Sequence, residues 1–549
     1  MKSIILGTAA MLVPLATEAM DCSGLTAEAL GLTGATVTAA EAIAPGEESP
    51  VAICRIRGRM AERTGIDGHG YALGFELSLP ADWNGGYVHQ FNGGNDGEVK
   101  PATGALKSGS GAESPLARGY AVVSSDAGHD GRAFPDAGLA GGAAFGFDFE
   151  ARQMYGYKAV AMLDPLARRA VEAFYGRPVA RAYGIGCSNG GRHAMVAAAR
   201  MPGAFDGLLS GAPGFNLPKA ALQHAWDVQQ LLPVTGTLAT ALTREDQAAI
   251  GTAVRAACDG LDGLEDGLIQ DHAACQAAFD PDTLLCGDDG AACLAPEKLP
   301  ALKAVHDGPR AADGAPLYAG WDWDAGIEGR NWRMWKLESP IAAWGHRPII
   351  ATMGAASLAQ VFTVPPTEVE GTPEALEAFL MSYDLGAAAE RIYATSGAFP
   401  ESPMEVMAPP GSDDPELAAF RDAGAKMILF HGVSDPVFSV QDTAAWYRAL
   451  DANNGGGAEA FARFYPVPGM THCTGGPAAD AFDLFAALED WVETGTAPGA
   501  VEALARDGND ELPAGLPAGS ARLLCPAPQV ARYQGGDPAL AASFACEQE

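Results

Sequence analysis

Basic residues are scarce in this chain of 549 residues. It has 35 Lys and Arg against 68 Asp and Glu, which gives a formal net charge of −33 at pH 7. Nucleic-acid binding needs basic patches that neutralise phosphates, and the sequence contains no tight cluster of cations. The composition therefore excludes nucleic acid as an expected partner and predicts an electrostatic field that disfavours anionic substrates.

The sequence also lacks CxxC cysteine pairs and, after its first residues, long apolar runs. No later stretch is long and apolar enough for a transmembrane helix, so we expect no membrane anchor. The missing CxxC pairs weaken the case for a zinc site. Hydrophobic residues make up 48% of the chain and charged residues 19%, a balance that predicts a large buried core instead of disorder. At this length we expect two domains, or one domain with an insertion.

The N-terminus has the pattern of a secretory signal peptide. Lys2 precedes an apolar run over residues 4–16, too short to span a bilayer, and a small-residue cleavage site ends at Ala19. We expect residues 1–19 to be removed; a buried N-terminal helix is the alternative. Asp21 before Cys22 argues against a lipoprotein signal. The mature protein is therefore expected to be secreted or periplasmic, where its ten cysteines should form disulfides.

A nucleophile motif lies between a predicted strand and a predicted helix. The chain through Ile185 has a strand pattern, the Ala-rich stretch after Gly191 has a helix pattern, and residues 186–190 read Gly-Cys-Ser-Asn-Gly. GxSxG on such a turn is the nucleophile elbow of α/β-hydrolases. The bare pattern arises easily by chance in a chain with 68 glycines. Ser188 therefore becomes a convincing nucleophile only if a base and an acid follow it.

Two later segments supply an acid and a base in the expected order. Residues 426–435 form an apolar strand pattern that ends in a polar turn with Asp435. A second strand pattern from Phe464 runs into a glycine-containing loop that presents His472. The order Ser188, Asp435, His472 is that of α/β-hydrolases. Taken singly, Asp435 also fits a solvated turn carboxylate and His472 an ordinary loop histidine.

Cysteines adjoin both the serine and the histidine. Cys187 directly precedes Ser188, and Cys473 directly follows His472. Because a disulfide requires Cα atoms within about 7 Å of each other, a Cys187–Cys473 bridge would bring the serine and the histidine together. The counting of cysteines alone leaves the pairing of the ten open.

This Cys-Ser, Asp and His-Cys arrangement resembles the tannase and feruloyl esterase family, and the resemblance extends from Cys22 to Cys546. It implies an α/β-hydrolase fold with residues 20–215 and 425–549 as the catalytic domain and residues 216–424 as an inserted lid domain. It also implies a structural calcium ion, no organic cofactor, and five disulfides, which are Cys22–Cys54, Cys187–Cys473, Cys258–Cys275, Cys286–Cys293 and Cys525–Cys546.

The implied activity is that of a serine carboxylesterase that forms an acyl-enzyme. Small aromatic esters of feruloyl, galloyl or mono(2-hydroxyethyl) terephthalate type are the implied substrates. An acyltransferase that uses the same acyl-enzyme is one alternative, and a catalytically silent, calcium-stabilised binding protein is the other. We expect a monomer or a weak homo-oligomer.

A glycine-rich loop supplies the candidate oxyanion hole. In α/β-hydrolases one donor is the main-chain N–H after the nucleophile, here Asn189, and the other comes from an early strand-to-helix loop, here Gly93 or Gly94. Family members usually carry a longer glycine run at this place, where this chain has Phe91 and Asn92, so the choice between the two glycines stays open. A phosphate-binding loop is the alternative, but the following Lys and Ser/Thr are missing.

An acidic loop between Cys258 and Cys275 is the candidate calcium site. Carboxylates this close repel one another unless a hard cation lies among them. The EF-hand register does not fit, because a leucine falls at its third position. The resemblance implies ligation by three side chains and two main-chain carbonyls, which belong to Asp259, Asp262 and Asp266 and to Leu264 and Leu268. The alternative is a solvated acidic turn held by a disulfide.

The substrate pocket is the least specified part of the site. Trp332 and Trp335 belong to an aromatic cluster of the predicted lid, and the resemblance implies that His431 and Phe438 line the acyl pocket. Arg347 is a candidate partner for a substrate carboxylate, with a surface ion pair as its alternative. Such a cation would be needed to offset the negative field if the substrate is an anion.

Overall fold

A nine-stranded sheet forms the centre of the computed structural model, which describes residues 22–106, 113–286 and 293–548. The predicted signal peptide and its cleavage site at Ala19 lie outside the described residues. Among these residues, two small sheets and fifteen α-helices accompany the central sheet. The prediction of a mixed α/β fold is confirmed. Within the described ranges, no helix has the length and apolar character needed to cross a membrane.

The strands, in chain order, are β1 (Ala35–Ile43), β2 (Ile53–Thr64), β3 (Gly70–Pro80), β4 (Gly86–Phe91), β5 (Ala121–Ser125), β6 (Arg181–Cys187), β7 (Gly207–Gly211), β8 (Lys426–Gly432), β9 (Ala462–Val467), β10 (Ala481–Phe482), β11 (Val501–Leu504), β12 (Ala521–Leu524), β13 (Gln529–Tyr533) and β14 (Phe544–Gln548). The central sheet has the order β1-β2-β3-β5-β4-β6-β7-β8-β9. Strands β1, β2, β3 and β5 pair antiparallel, and all pairs from β5 through β9 are parallel. The small sheets are β10-β11-β12 and β13-β14.

The α-helices, in chain order, are α1 (Phe149–Gln153), α2 (Ala159–Tyr175), α3 (Asn189–Arg200), α4 (Leu217–Thr235), α5 (Leu238–Ala241), α6 (Arg244–Cys258), α7 (His272–Ala278), α8 (Lys298–Asp307), α9 (Arg330–Lys336), α10 (Met353–Gln360), α11 (Pro373–Ser382), α12 (Pro403–Met407), α13 (Ala418–Asp422), α14 (Val440–Asn453) and α15 (Leu484–Thr494). Helices α4 to α13 all lie between β7 and β8, so the chain leaves the sheet for about 200 residues before returning beside β7. We call residues 216–424 the helical insertion.

The parallel strands are buried on both faces, as their continuous apolar sequences require. Because successive strand side chains point to opposite faces, neighbours along β7 and β8 enter different cores. Leu209 and Ile428 pack with Trp491 of α15 on one face. Leu208 and Met427 pack with α3 and α14 on the other. The parallel part of the sheet is thereby covered on both faces.

The structure contains the five disulfides implied by the family resemblance. Their Cα–Cα distances range from 4.8 Å for Cys286–Cys293 to 6.1 Å for Cys187–Cys473. Among the described residues no cysteine is free. Cys187–Cys473 differs from the other four in its span of 286 residues, and it joins the two segments that carry the candidate nucleophile and base.

Candidate active site

The candidate catalytic residues follow strands that end at one edge of the sheet. Gly93 follows β4, Ser188 follows β6, Asp435 follows β8 and His472 follows β9. These strands are mutually parallel, so their carboxyl ends share that edge. Open α/β sheets bind their ligands there.

Ser188 occupies a strained turn between β6 and α3. Its φ of 68° and ψ of −128° lie outside the regions favoured by non-glycine residues. The turn is tight because its flanking glycines allow close approach. A Cβ on Gly186 would lie 2.6 Å from the carbonyl carbon of Gly190, and a Cβ on Gly190 would lie 2.4 Å from the carbonyl oxygen of Phe91. This is the geometry of a nucleophile elbow, with Ser188 at the N-terminus of α3.

The serine, the histidine and the aspartate form one chain of hydrogen bonds. His472 Nε2 lies 2.9 Å from Ser188 Oγ, and His472 Nδ1 lies 2.7 Å from Asp435 Oδ2. Since a carboxylate can only accept, His472 Nδ1 donates to Asp435, which leaves Nε2 as the acceptor for the serine hydroxyl. That tautomer is the one a general base requires.

Asp435 is held as a carboxylate in a fully buried position. Burial opposes its ionisation, but the interactions of the carboxylate with His472 and His431 outweigh burial and hold the pKa of Asp435 well below its usual range. Its second oxygen, Oδ1, accepts from the main-chain N–H groups of Val437 (2.8 Å) and Phe438 (3.1 Å). The carboxylate is thus ionised and oriented before any substrate binds.

Segments of the helical insertion contact the acid and the base directly. The indole Nε1 of Trp321 donates to the main-chain oxygen of Asp435 at 2.9 Å. The hydroxyl of Tyr318 accepts from the Ser439 N–H at 3.3 Å, and Asn331 Oδ1 accepts from the His472 N–H at 3.4 Å. The sequence did not predict these contacts. Its aromatic cluster indicated that the insertion contributes to the site, but not that Trp321 bonds to the main chain of Asp435.

Gly93 is the glycine of the early loop that lies against the nucleophile. A Cβ on Gly93 would be 3.7 Å from the Cβ of Ser188, whereas a Cβ on Gly94 would have no atom within 4 Å. The carbonyl of Gly94 instead accepts from the Tyr155 hydroxyl at 3.1 Å. Of the two predicted donors, Gly93 is therefore the better placed to face an oxyanion beside Ser188, with Asn189 opposite it.

A family model described as tannase and feruloyl esterase matches residues 54–547. The chain belongs to this family. It is 39% identical over 537 residues to the mono(2-hydroxyethyl) terephthalate hydrolase of Piscinibacter sakaiensis, covering 92% of this chain and 86% of that one. It is 29% identical over 494 residues to a probable feruloyl esterase of Arthroderma benhamiae, covering 86% and 82%. The predicted family is confirmed, and this member is a carboxylic ester hydrolase.

Solved structures of the tannase and feruloyl esterase type show the same fold. Feruloyl esterase B from Aspergillus oryzae superposes with a TM-score of 0.72 at 22% identity, covering 94% of this chain and 97% of that one. Tannin acyl hydrolase from Aspergillus niger superposes with a TM-score of 0.65 at 19% identity, covering 97% and 94%. The predicted α/β-hydrolase-like fold is confirmed.

Two aromatic side chains flank the base of this family member. The rings of Trp335 and Phe438 lie 5.3 Å and 5.5 Å from the His472 ring, both close to edge-on. Trp335 is partly exposed, and Phe438 is buried. Trp332, one turn away on α9, is buried in the core of the insertion. The structure therefore brings Trp335 and Phe438 to the base, while Trp332 packs inside the insertion.

His431 lies behind the acid. It is fully buried, and its Nε2 lies 3.0 Å from the main-chain oxygen of Phe438 and 3.4 Å from Asp435 Oδ2. Its Nδ1 lies 2.9 Å from the hydroxyl of Thr443. Because a carbonyl oxygen only accepts, Nε2 carries a hydrogen. The structure thus places His431 as a second hydrogen-bond partner of the acid loop and away from an accessible pocket wall.

Arg347 is engaged by two carboxylates of α11. Its guanidinium lies 3.1 Å from Glu374 and 3.4 Å from Glu377. These ion pairs correspond to the alternative considered for this residue in the sequence. In this structure Arg347 therefore pairs with carboxylates of its own chain.

The carboxylates of the acidic loop hold the loop backbone. Asp259 accepts from the Gly267 N–H, Asp262 from the N–H groups of Leu264 and Gln270, and Asp266 from the Leu268 N–H. Burial raises the pKa of Asp262 to about 7, and the charges of Asp266 and Asp259 add to that rise. Asp266 also pairs with buried Arg522.

The donor chemistry of this loop suits a hard cation, because mutually repelling, partly buried carboxylates and main-chain oxygens are what Ca²⁺ binds. The side chains themselves are turned toward backbone N–H groups. Across the described part of the chain, no group of three or more His, Cys, Asp or Glu side chains is arranged to hold a metal ion.

Removal of the Cys187–Cys473 disulfide should impair both stability and turnover. For a closed span of 286 residues the chain-entropy model gives about 5.6 kcal/mol as an upper value. We expect Cys187→Ser with Cys473→Ser to lower Tm and to lower kcat, because the His472 loop is released from the elbow. The measurements are thermal unfolding and ester hydrolysis well below the new Tm.

Removal of the Cys22–Cys54 disulfide is the matched control. It spans 32 residues and is attached to β2, near the edge of the central sheet opposite β8 and β9, so Cys22→Ser with Cys54→Ser should lower Tm but preserve kcat. An equal effect of both pairs on kcat would contradict the role assigned to Cys187–Cys473.

Proposed function

We propose that this family member hydrolyses esters of aromatic acids through an acyl-enzyme formed on Ser188. The observation that carries the proposal is the continuous hydrogen-bonded chain from Ser188 through His472 to buried, ionised Asp435. Trp335 and Phe438 beside the base supply apolar ring surfaces that suit an aromatic acyl group. The named relatives, a terephthalate half-ester hydrolase and feruloyl esterases, support the same substrate class.

In the first half of the proposed reaction, Ser188 Oγ attacks the ester carbonyl carbon while His472 Nε2 takes the hydroxyl proton. The carbonyl oxygen becomes an oxyanion, which the N–H groups of Asn189 and Gly93 stabilise as donors. The carbon–oxygen bond to the alcohol then breaks, and His472 returns the proton to the departing alcohol oxygen. Asp435 keeps the imidazole oriented and stabilises its charged form.

In the second half, a water molecule takes the place of the alcohol. His472 Nε2 removes its proton as the water oxygen attacks the acyl carbon, and the same oxyanion donors act again. Breakage of the bond to Ser188 Oγ releases the aromatic acid, and the proton on His472 returns to the serine. No metal or organic cofactor takes part in these steps.

In this proposal the helical insertion is a lid over the site, and it also holds the loop that carries Asp435 in place. It contributes Trp335 to the substrate side of His472 and the Trp321 hydrogen bond to the Asp435 main chain. We further propose that the protein is secreted or periplasmic after loss of residues 1–19. Five disulfides support an oxidising compartment.

Charge at the site favours uncharged aromatic esters over anionic ones. Residues 330–347 include Asn331 and Trp335, which contact His472. Every Lys and Arg of this segment is paired with a carboxylate: Arg330 with Asp510, Arg333 with Glu338, Lys336 with Asp227, and Arg347 with Glu374 and Glu377. The net charge of −33 adds a repulsive field. An anionic substrate therefore meets no free cation from this segment.

The substrate-charge prediction is tested with an isosteric pair. Mono(2-hydroxyethyl) terephthalate carries a carboxylate, and its carboxamide analogue is neutral and equal in size. We expect kcat/KM for ethylene glycol release to be about tenfold higher for the amide at low salt, with the gap narrowing as salt screens the field. Faster hydrolysis of the carboxylate substrate than of the amide would contradict this prediction and show that a cation outside residues 330–347 binds the carboxylate.

Replacement of the nucleophile tests the reaction itself. Ser188→Ala should lower hydrolysis of methyl ferulate and mono(2-hydroxyethyl) terephthalate by at least about 10³-fold, because loss of a triad member leaves only binding and oxyanion stabilisation. Its Tm should stay close to that of the unmodified protein. Exposed Ser382 on α11 offers the control Ser382→Ala, which should retain full activity. Substantial turnover by Ser188→Ala would overturn the proposed function.

We also propose that the acidic loop binds calcium as a structural ion. Its ligands would be the side chains of Asp259, Asp262 and Asp266 with the carbonyls of Leu264 and Leu268. The support is the shared burial and mutual repulsion of the carboxylates, which a divalent cation would relieve. The ion would neutralise this loop and stabilise the fold there.

Chelation tests the calcium proposal. Tm in excess EDTA should be a few degrees lower than Tm in millimolar calcium, since a ligand that binds only the folded state stabilises it. The variant Asp262→Asn should lose most of this difference, and Asp313→Asn on an exposed turn should keep it. Identical Tm values with and without calcium would refute the site.

A further inference from the structure

The two oxyanion donors proposed above come from segments that are not joined by the sheet. Strands β4 and β6 pair only as far as Phe91 and Gly186. Beyond that point one chain forms the loop with Gly93 and the other forms the elbow with Asn189. A hydrogen bond donor misplaced by about 1 Å can cost about 100-fold in rate. Close packing of Gly190 against the Phe91 carbonyl brings the two segments together, and side-chain contacts beyond the sheet can fix the separation of the two N–H groups more finely.

A buried side-chain hydrogen bond connects these two segments. Asn189 Nδ2 donates to Asp96 Oδ2 at 2.8 Å, and both side chains are almost completely buried. Asp96 also closes the glycine loop, because its N–H donates to the carbonyl of Gly93 at 3.3 Å. Asp96 has a φ of 55°, a left-handed conformation that Asp tolerates better than most residues. One residue thus contacts both halves of the oxyanion hole.

The Asn189 amide is locked in the orientation that this bond requires. Its Oδ1 accepts from Arg192 Nε at 2.6 Å. Arg192 is itself fully buried; it donates to the main-chain oxygens of Tyr155, Gly156 and Met407, and its Nη2 also lies 3.3 Å from His193 Nε2. Because a guanidinium only donates, Oδ1 must face Arg192, and the NH₂ group must face Asp96.

We propose that the Asn189–Asp96 hydrogen bond holds the N–H groups of Asn189 and Gly93 at the separation that oxyanion binding needs. Asn189 thereby has two functions: its main-chain N–H donates to the oxyanion, and its side chain positions the loop that carries Gly93. Asp96 is a positioning residue that contacts neither substrate nor the reacting atoms. This inference rests on the proposed function, because it presupposes an oxyanion beside Ser188.

Conservative substitutions at both residues test this bond. Asp96 Oδ2 also lies 3.2 Å from His193 Nε2, an oxygen that the Asn189 variants leave in place. Asn189→Asp keeps an oxygen for Arg192 but turns the donor that faces Asp96 into a second acceptor. We expect it to lower kcat by about 10- to 100-fold, the scale of a displaced donor, with KM changed less than about threefold. Asp96→Ala should lower kcat by a similar factor, again with little change in KM. Asp96→Asn retains an acceptor oxygen and should restore kcat to within about threefold of the unmodified enzyme.

A double-mutant cycle provides the decisive readout. If Asn189 and Asp96 act as one unit, Asn189→Ala with Asp96→Ala should lower kcat no further than the worse single variant. The inhibition constant of an aryl boronic acid, which forms a tetrahedral adduct on the serine, should rise in proportion to the loss of kcat. Additive losses, or a lowered Tm with unchanged kcat and boronate affinity, would overturn the inference.

Active-site titration with a fluorophosphonate distinguishes the two possible failures. In each variant it counts the molecules whose Ser188 is folded and reactive, and kcat is expressed per labelled serine. Failure of labelling at Ser188 in the unmodified protein would refute the proposed function itself. Normal labelling together with additive or absent effects in the cycle would refute only the positioning role of Asn189 and Asp96.

Discussion

The disulfide between Cys187 and Cys473 is the constraint on which the site depends. Ser188 follows β6 and His472 follows β9, and β7 and β8 lie between these strands. Three strand spacings amount to about 14 Å, so the loop after β9 must return across the sheet edge for His472 to meet the serine. The bridge holds the end of that loop on the elbow, with Cα atoms 6.1 Å apart. Ser188 and His472, which are 2.9 Å apart at their hydrogen bond, each adjoin one cysteine of this bridge in the sequence.

The acid is secured differently, by the helical insertion. Trp321 and Tyr318 bond to the loop that carries Asp435, and Asn331 bonds to the His472 main chain. An insertion that only covered the site would need none of these contacts. Within residues 330–347 each Lys and Arg pairs with a carboxylate of the same chain, and Trp335 lies beside the His472 ring. The same segment therefore positions His472 and the Asp435 loop, and its ion pairs underlie the proposed preference for uncharged substrates.

Much of this could be predicted from the sequence because it depends on local pattern and chain order. The elbow, the order of serine, acid and base, and the flanking cysteines are visible in short stretches of residues. The contacts of His431 and Arg347 could not be predicted, because they depend on how β8 packs against the Asp435 loop and α14, and on how Arg347 packs against α11. The choice of Gly93 over Gly94, and the Asn189–Asp96 bond, likewise depend on how two loops meet beyond the ends of β4 and β6.

The most direct measurement of the central claim is fluorophosphonate labelling followed by peptide mapping of oxidised and reduced protein. The account predicts a single adduct on Ser188 in the oxidised protein. It also predicts much slower labelling once Cys187–Cys473 is reduced under conditions in which the fold persists. An adduct on another residue, or an unchanged labelling rate after reduction of that disulfide, would contradict the claim that the bridge assembles the catalytic site.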